Sequence, residues 1–412
     1  MQNKIYESRK ILEINSLENL KKKLEMKTKK LFTLLFPMLL FFINNVNAQI
    51  PEGSKPAPTN IRQNDCPCIT PDLKVMFKVN APNAGKVQID LGKIYDLQKD
   101  EKGNWTVTTE SQVPGFHYYS LVINGVKVSD PASETFYGTG RMSSAIDIPE
   151  TETDFYLIKD VPHGDIRSKS YFSKTTGTWR NVNIYTPPGY DKDTKKTYPV
   201  LYIQHGGGED ERGWAVQGKT NIILDNLIAE GKAKPMIVVI PNGNVTKPGS
   251  AAAGYTDEAM ANFKEEIFQN VIPFIEKYYR VKPGAANRAI SGLSMGGGQA
   301  FYTGLRNLEM FANVGVFSSG LFGGIALTPG AAEFDPEKAI PGILTKPEMF
   351  NKKLKLFYIS VGEQDPRIES TKKIVENFRS KGLKVEFASF QGGHEWQVWR
   401  KSLHDFAQRI FK

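Results

Sequence analysis

The sequence predicts an α/β fold preceded by a small all-β domain, and three observations support this prediction. Short segments that alternate between apolar and polar residues, separated by turn signals, fill residues 70–150, which is typical of strands. From residue 154 onward, apolar segments of strand length alternate with longer helical stretches. A chain of 412 residues is also too long for one hydrophobic core of ordinary size, which favours two domains.

Residues 26–48 have the pattern of a signal peptide that is removed from the mature protein. Basic residues within 26–30 precede a thirteen-residue, mainly apolar run at 31–43, and a Val-Asn-Ala sequence ends at Ala48. The apolar run is too short for a bilayer span and contains Pro37, so a transmembrane anchor is the weaker interpretation. We therefore expect translation to start at Met26, cleavage after Ala48, and a secreted or periplasmic protein that has no membrane contact after cleavage. Residues 1–25 would then be an upstream extension.

Charge and cysteine content argue against a nucleic-acid-binding protein and against a disulfide-stabilised one. The whole chain has a formal net charge of +9, but residues 1–48 contain nine Lys and Arg and four Asp and Glu. The remaining charge on the mature chain is weak, so we expect no nucleic-acid partner. The only two cysteines, Cys66 and Cys68, are one residue apart, and a disulfide across that spacing would be strained. We expect two incidental thiols.

Changes in composition along the chain predict the domain boundaries. Residues 49–68 are rich in proline and small polar residues and are predicted to be a linker. Residues 69–152 are predicted to form an immunoglobulin-like β-sandwich with strands at 75–79, 87–91, 105–108 and 116–123. Residues 154–412 are predicted to form the α/β domain.

Seven strands and five long helices are predicted in the α/β domain. The strands are 182–185, 200–204, 236–240, 289–291, 314–317, 354–361 and 385–390. The helices are 220–230, 258–279, 297–307, 369–381 and 398–411. Because strands alternate with helices, we expect a parallel sheet that is covered by helices on both faces.

The most specific motif is a serine flanked by glycines at the end of a predicted strand. Residues 292–296 (GLSMG) follow the strand at 289–291 and precede a predicted helix. A Gly-x-Ser-x-Gly sequence in this context is the nucleophile elbow of α/β-hydrolases, in which the turn is so tight that larger side chains at the glycine positions would collide. We predict that Ser294 is the nucleophile of a serine esterase with the α/β-hydrolase architecture.

A serine hydroxyl needs a base, and the chain order in this fold places an acid and then a histidine after the serine. Of the five histidines, only His394 and His404 follow Ser294, and His404 lies on a predicted terminal helix. His394 follows a glycine-rich loop at the end of a strand and is the predicted base. The acid is expected after the preceding strand, where Asp365 is favoured and Glu363 remains the alternative.

Two backbone amides are needed to bind the oxyanion of the tetrahedral intermediate. The amide of Met295, the residue after the nucleophile, is one predicted donor. The second is expected in the glycine run 206–208, where Gly207 is favoured and Gly208 remains possible. Because this chemistry requires neither a metal nor an organic cofactor, we expect no cofactor.

The candidate residues match a known family. Residues 154–412 resemble carbohydrate esterase family 1, the esterase-D-like group that includes feruloyl, acetylxylan and enterochelin esterases. The resemblance depends on four segments in order, which are 202–210 (YIQHGGGED), 292–297 (GLSMGG), 361–365 (VGEQD) and 392–396 (GGHEW). It implies that Ser294, Asp365 and His394 form a catalytic triad and that Gly207 and Met295 supply the oxyanion hole.

The upstream domain is similar to the early-set sandwich related to carbohydrate-binding module family 48. The matching segments are 79–84 (VNAPNA), 114–119 (PGFHYY) and 130–133 (DPAS). A glycan could stack on Trp105, Phe116, Tyr118 and Tyr119, although aromatic residues at alternating positions more often fill a sandwich core. A spacer that completes or shades the active-site cleft is an equal alternative.

The combined resemblance implies a serine esterase that releases feruloyl (hydroxycinnamoyl) or acetyl groups from plant cell-wall xylan through an acyl-enzyme. The expected partner is a plant polysaccharide, as feruloylated or acetylated xylan or its oligosaccharides. Three alternatives stay open: a siderophore esterase of the enterochelin type, an acyltransferase, and a glycan-binding protein with an inactive esterase domain. The signal peptide argues against the first alternative, and the intact set of Ser294, Asp365 and His394 argues against the third.

Overall fold

The computed structural model describes residues 49–150, 154–252, 254–323 and 334–412. The predicted signal peptide lies outside the described residues. Residues 50–99 and 103–412 form one compact unit that contains both predicted domains. Within the described ranges, no helix has the length and apolar character needed to cross a membrane.

The N-terminal region is a sandwich of two antiparallel sheets. Its strands are β1 (Lys55–Pro56), β2 (Cys68–Ile69), β3 (Val75–Asn80), β4 (Val87–Leu91), β5 (Lys93–Asp96), β6 (Gln98–Lys99), β7 (Asn104–Thr108), β8 (Gly115–Ile123), β9 (Val126–Val128), β10 (Thr135–Gly138) and β11 (Arg141–Ile148). One sheet has the order β1-β2-β3-β7-β6, and the other has the order β10-β11-β8-β4-β5 with β9 beside β8. The all-β region predicted from alternating residues is therefore present, and its four predicted strands correspond to β3, β4, β7 and β8.

Alternation along the strands gives the sandwich two buried surfaces. On one face of each strand, side chains such as Phe77, Tyr119 and Ile146 pack between the two sheets. On the opposite face of β8 and β11, side chains such as Phe116 and Ala145 join a cluster that includes residues of the α/β domain. The sandwich therefore packs against the α/β domain through the outer face of one sheet.

The four aromatic residues considered for glycan stacking are divided between these two surfaces. Trp105 and Tyr119 are buried in the sandwich core, whereas Phe116 is buried and Tyr118 half-buried against the α/β domain. The four rings therefore do not form one common stacking face, because alternation directs them to two different buried surfaces. This agrees with the stronger interpretation that aromatic residues at alternating positions fill a core.

The two cysteines lie at the start of the sandwich. Both thiols are free and buried. Burial raises the pKa of Cys66 to about 12 and also raises the pKa of Cys68. Both thiols therefore keep their protons at neutral pH, as expected for incidental buried cysteines.

An eight-stranded sheet forms the core of the α/β domain. Its strands are β12 (Asp165–Ser173), β13 (Thr178–Thr186), β14 (Val200–Gln204), β15 (Ile237–Pro241), β16 (Arg288–Leu293), β17 (Asn313–Phe317), β18 (Leu356–Gly362) and β19 (Glu386–Phe390). The order is β12-β13-β15-β14-β16-β17-β18-β19. Strands β14 to β19 are parallel, and all of their predicted counterparts are present.

The first two strands differ from the prediction of a parallel sheet. β12 and β13 form an antiparallel hairpin, and β13 also pairs antiparallel with β15. β12 was not predicted because it is an edge strand with mostly exposed or half-exposed residues, so it lacks the apolar pattern of the inner strands.

Helices cover both faces of this sheet, as predicted. They are α1 (Gly213–Val216), α2 (Thr220–Ala229), α3 (Asp257–Glu266), α4 (Ile272–Tyr278), α5 (Met295–Leu305), α6 (Pro336–Ala339), α7 (Pro347–Lys353), α8 (Ile368–Ser380) and α9 (Trp396–Ala407). The long helix predicted at 258–279 is α3 and α4, joined by the π-helical segment Ile267–Val271. One apolar cluster packs α3, α4, α5 and α8 against one face, and a second packs α2 and α9 against the other.

Candidate active site

Ser294 lies on a sharp turn between β16 and α5, at the carboxyl edge of the sheet. β16 is a central strand that pairs with β14 on one side and β17 on the other. The backbone of Ser294 has φ 50° and ψ −112°, a conformation that residues other than glycine rarely adopt. Its amide donates to the carbonyl of Phe317 at 2.8 Å. This strained turn presents the serine side chain above the sheet, as a nucleophile elbow does.

Glycine is required on both sides of the turn because the backbone there is closely packed. A Cβ atom on Gly292 would lie 2.5 Å from the backbone of Gly296. A Cβ atom on Gly296 would lie 2.6 Å from both the carbonyl oxygen of His205 and the Cβ of Gln204. These distances are shorter than any ordinary contact, so the steric argument made from the motif applies to this chain.

Ser294, His394 and Asp365 form a continuous hydrogen-bonded chain. His394 Nε2 lies 3.0 Å from Ser294 Oγ, and His394 Nδ1 lies 2.7 Å from Asp365 Oδ2. The second carboxylate oxygen of Asp365 accepts from the amide of Arg367 at 3.0 Å and from its guanidinium at 2.9 Å. A carboxylate held at Nδ1 fixes the tautomer in which Nε2 accepts the serine proton.

The environment of Asp365 keeps its carboxyl group ionised. Burial of Asp365 by itself raises its pKa. The hydrogen bonds from His394 and Arg367 outweigh burial, so the pKa of Asp365 lies below its ordinary value. Asp365 therefore carries a negative charge beside the imidazole at neutral pH.

Glu363 and His404, the other candidates for the acid and the base, have different partners. The Glu363 side chain bonds Gln391 and Ser389. His404 is on α9 as predicted, where it is half-buried against the ring of Phe155 with its pKa lowered by burial. Both side chains make their contacts with other residues, and neither is part of the hydrogen-bonded chain at Ser294.

The amides of Gly207 and Met295 are both available near Ser294. Gly207 lines the same cavity as Ser294, and Met295 begins α5. Within the described residues, neither amide donates a hydrogen bond to the protein. Gly208, the alternative donor, is not part of the cavity wall, and its carbonyl accepts from the amide of Gly140 in the sandwich at 2.8 Å.

Each of the two candidate amides is oriented through the carbonyl group of its own peptide unit. The C=O and N–H of a peptide point in opposite directions, so fixing the oxygen also orients the next amide. The Ser294 carbonyl accepts from Tyr255 Oη at 3.1 Å, which orients the Met295 amide. The Gly206 carbonyl accepts from His205 Nδ1 at 2.8 Å, which orients the Gly207 amide.

His205 is a structural residue of this loop. It is fully buried, and its Nε2 accepts from the amide of Gly243 at 2.9 Å, which leaves Nδ1 as the donor to Gly206. Burial lowers the pKa of His205, so the ring stays neutral. The described residues contain no group of three His, Cys, Asp or Glu side chains that could hold a metal ion.

A cavity of about 380 Å³ opens at Ser294 between the two domains. We call it the active-site cavity. Its wall includes these residues of the sandwich: Leu91, Gly92, Gln112, Phe116, His117, Tyr118 and Thr139. The α/β domain contributes Gly206, Gly207, Glu209, Leu293, Ser294, His394, Glu395, Trp396 and Trp399. The alternative in which the sandwich completes the active-site cleft therefore agrees with this wall.

Sequence reasoning missed the cavity residues Tyr118, Glu209 and Trp399 as parts of the site. Glu209 directly follows the glycine run and Trp399 lies one helical turn after the glycine-rich loop of His394, so their positions offered a weak signal. Tyr118 lies in a different domain, and no local pattern connects it to Ser294.

Comparison with protein families places the α/β domain among esterases. A family model described as "Putative esterase" matches residues 173–410, which is more than half of the chain.

Two curated relatives have matching segments. An endo-1,4-beta-xylanase/feruloyl esterase of Xylanibacter ruminicola is 36% identical over 378 residues, which cover 89% of this chain and 48% of that protein. Endo-1,4-beta-xylanase Y of Acetivibrio thermocellus is 32% identical over 202 residues, which cover 46% of this chain and 17% of that protein. The chain thus spans less than half the length of each of these relatives.

Solved structures include matches to ferulic acid esterases. One from Anaeromyces mucronatus in complex with ferulic acid has a TM-score of 0.52 and 27% identity, covering 63% of this chain and 96% of that one. The enterobactin esterase of Shigella flexneri has a TM-score of 0.61 and covers 81% of this chain and 92% of that one. Its identity is only 16%, so that likeness shows the fold alone. The predicted α/β-hydrolase architecture is confirmed.

Proposed function

Because this chain belongs to the Esterase family, we propose that it is a serine esterase that releases feruloyl or related hydroxycinnamoyl groups from plant cell-wall xylan. The observation that supports this most directly is the hydrogen-bonded chain from Ser294 through His394 to Asp365 at the wall of a cavity. The relative from Xylanibacter ruminicola, which shares 36% identity, includes feruloyl esterase in its name.

The first half of the reaction follows from the geometry of these groups. Ser294 Oγ attacks the ester carbonyl while His394 Nε2 takes the serine proton, and Asp365 stabilises the resulting imidazolium. The carbonyl oxygen becomes an oxyanion that accepts from the amides of Met295 and Gly207. His394 then gives its proton to the leaving sugar hydroxyl, and an acyl-enzyme remains on Ser294.

The second half repeats these steps with water. His394 Nε2 takes a proton from water, the hydroxide attacks the acyl carbonyl, and the same two amides bind the oxyanion. Collapse of this intermediate releases the carboxylic acid and returns the proton to Ser294. An acyl acceptor other than water would use the same groups, and acyl transfer is therefore the second activity to test.

The character of the cavity favours an aromatic acyl group over an acetyl group. Phe116, Trp396 and Trp399 all line its wall beside Ser294. A cavity of about 380 Å³ with aromatic walls suits a flat phenolic ring, which gains from burial and ring packing. An acetyl group has no ring and would leave most of this volume empty.

The test is ester hydrolysis by the purified mature protein. Methyl ferulate, an acetylated xylan and a siderophore trilactone are compared side by side, with Ser294→Ala as the matched control. We expect methyl ferulate to be hydrolysed fastest and Ser294→Ala to lose at least about 1,000-fold in kcat. Equal rates for wild type and Ser294→Ala on all three esters would refute a serine mechanism. Faster turnover of acetylated xylan or of the trilactone would reject the feruloyl assignment.

We also propose that the enzyme is exported. A xylan substrate is a polymer outside the cell, which fits the predicted signal peptide at 26–48. Mass spectrometry of the protein recovered from its native host is expected to give an N-terminus at Gln49. A cytoplasmic protein that retains residues 26–48 would contradict export.

A further inference from the structure

Glu209 is a buried carboxyl group on the wall of the active-site cavity that the mechanism above does not use. Its residue is 5% exposed, and it lines the cavity together with Ser294. One oxygen, Oε2, accepts from the amide of Gly206 at 3.1 Å, and the other, Oε1, accepts from the hydroxyl of Tyr118 at 3.4 Å. A buried carboxyl group is costly unless its oxygens are bonded, so the partners of these oxygens are informative.

Glu209 makes hydrogen bonds with both the amide and the carbonyl group of Gly206. Its side chain binds the Gly206 amide, and its own amide donates to the Gly206 carbonyl at 3.4 Å. The Gly206 carbonyl belongs to the peptide unit that carries the Gly207 N–H. Glu209 and His205, whose Nδ1 donates to the same carbonyl at 2.8 Å, therefore together fix the direction of the Gly207 amide, the second predicted donor to the oxyanion.

Glu209 and the nucleophile border the same glycine. The position that a Cβ atom would take on Gly206 lies 3.5 Å from Glu209 Oε2 and 3.5 Å from Ser294 Cβ. Gly206 therefore lies between Glu209 and the residue that attacks the substrate.

Tyr118 holds Glu209 through a fully used hydroxyl group. A phenol oxygen can donate once and accept twice. Tyr118 Oη accepts from Gln217 Nε2 at 2.9 Å and from Trp396 Nε1 at 3.3 Å. Its single proton is therefore directed to Glu209 Oε1, and burial raises the pKa of Tyr118 above its usual value so that the proton is retained.

We propose that Glu209 is a positioning residue for the oxyanion loop and that Tyr118, supplied by the sandwich, holds Glu209 in place. The sandwich then contributes to the chemical step and not only to the shape of the cavity. This inference rests on the proposed function in one respect, which is that Ser294 is the nucleophile.

Three variants test the proposal, each measured per titrated active site. Tyr118→Phe removes one hydroxyl, Glu209→Leu removes both acceptors, and Glu209→Gln keeps an acceptor for the Gly206 amide. On methyl ferulate we expect kcat to fall about 10-fold for Tyr118→Phe and about 100-fold for Glu209→Leu, with KM changed less than about twofold. Glu209→Gln is expected to lose about 10-fold in kcat, as Tyr118→Phe does, because its amide nitrogen cannot accept the Tyr118 hydroxyl proton.

Tyr95→Phe is the matched control. It also removes a sandwich hydroxyl that donates to a glutamate, Glu110, but Tyr95 is not part of the cavity wall. The amide of Gln112, which is part of the wall, donates to the Tyr95 hydroxyl at 3.3 Å and in the variant keeps its shorter bond to the Glu110 carbonyl at 2.8 Å. We expect its kcat and KM to equal those of wild type. Melting temperatures identify variants that are only destabilised.

A fluorophosphonate separates this proposal from the proposed function. The reagent transfers its phosphonyl group to the serine oxygen and releases fluoride, so its rate reports the oxyanion site without any requirement for a feruloyl group. We expect the second-order rate constants to follow the same order as kcat. If wild type does not hydrolyse methyl ferulate, the proposed function fails while the fluorophosphonate rates still test Glu209.

Two results would overturn the positioning role. One is wild-type kcat and wild-type phosphonylation in folded Tyr118→Phe. The other is a change confined to KM in Tyr118→Phe and Glu209→Gln. If Glu209→Leu does not fold, Tyr118→Phe against Tyr95→Phe decides the question.

Discussion

At the residue scale, the two carboxylate oxygens of Asp365 bind different partners, and together these partners orient the carboxylate. One oxygen faces the imidazole of His394, and the other is bonded by Arg367, whose side chain is almost fully buried. Arg367 thus holds the carboxylate in the orientation that His394 needs. Glu363, two residues earlier, has neither partner.

Replacing Asp365 with asparagine is therefore expected to disable the base. The amide cannot fix the same imidazole tautomer, so kcat on methyl ferulate should fall by about 10³- to 10⁴-fold. KM should change little, because the carboxylate does not line the cavity. Steady-state kinetics at neutral pH provide the measurement.

Glu363→Gln is the matched control for this change. It converts the alternative carboxylate to an amide in the same loop, and we expect kcat within about twofold of wild type. A larger loss for Glu363→Gln than for Asp365→Asn would assign the acid to Glu363 instead.

Glu209 makes stability depend on pH in a direction that can be measured. Burial is the main cause that raises the pKa of Glu209 from 4.5 to about 7, and the nearby charge of Asp210 adds to it. Between these values the folded protein binds more protons than the unfolded chain, so this contribution falls as pH rises from about 4.5 to 7. The change amounts to about 3 kcal/mol.

Glu209→Gln removes this titration. Denaturant unfolding of both proteins between pH 4.5 and 7.5 should show wild type losing stability relative to Glu209→Gln as pH rises. His404, whose pKa is lowered by burial, contributes in the opposite direction, but it is present in both proteins and cancels. Parallel stability curves would show that Glu209 titrates near its ordinary value in the folded protein.

At the scale of elements, the strand-turn-helix unit around Ser294 depends on glycine. β16 and α5 approach so closely that a Cβ on Gly292 would lie 2.5 Å from the Gly296 backbone. The atoms that this Cβ would meet belong to the backbone and not to a flexible side chain, so the first turn of α5 would have to move.

Gly292→Ala is thus expected to damage both catalysis and folding. The shift of α5 displaces the Met295 amide, and we expect kcat to fall at least about 100-fold. Overpacking should destabilise the fold by about 1–3 kcal/mol. Kinetics and denaturant unfolding measure the two effects.

Gly85→Ala is the control for this prediction. A Cβ on Gly85 meets only Asn124 at an ordinary distance of 3.5 Å, and it lies in a sandwich turn away from the cavity wall. Near-wild-type kcat and stability are expected for this variant. Equal losses in both variants would show that the close approach at Gly292 is not the cause.

At the scale of the whole molecule, a buried ion pair joins the sandwich to the α/β domain. Arg400 on α9 is fully buried and contacts both carboxylate oxygens of Asp147 on β11 at 3.3 and 3.4 Å. Lys219 also lies 3.1 Å from Asp147. Burial alone would raise the pKa of Asp147, but these two cations outweigh it and lower the pKa.

Asp147→Ala is expected to destabilise the folded protein by about 3–5 kcal/mol, because it leaves the Arg400 charge buried without its partner. The double variant Asp147→Ala with Arg400→Met should recover much of this loss. Asp90→Ala, which removes a partly exposed partner of Lys127, should cost less than about 1 kcal/mol. Denaturant unfolding measures all three, and equal losses for Asp147→Ala and Asp90→Ala would contradict a buried pair that holds the domains together.

Local sequence patterns were enough to predict most elements and the candidate triad. Strand and helix periods depend on neighbours a few residues apart, so the parallel strands β14 to β19 and the long helices were predicted close to their observed bounds. The order of serine, acid and histidine is that of the α/β-hydrolase fold, and parallel strands that end at the same edge of the sheet bring Ser294, Asp365 and His394 together there. Edge strand β12 escaped prediction because its exposed residues carry no apolar period.

Contacts between distant segments could not be read from such patterns. Tyr118 and Glu209, for example, are 91 residues apart and lie in different predicted domains. The selection of Asp365 over Glu363, and the use of a sandwich tyrosine beside the oxyanion loop, depend on which surfaces pack together. A sequence determines the chemical groups and their local periods, but hydrogen-bond partners across domains exist only once burial brings their surfaces within about 3 Å.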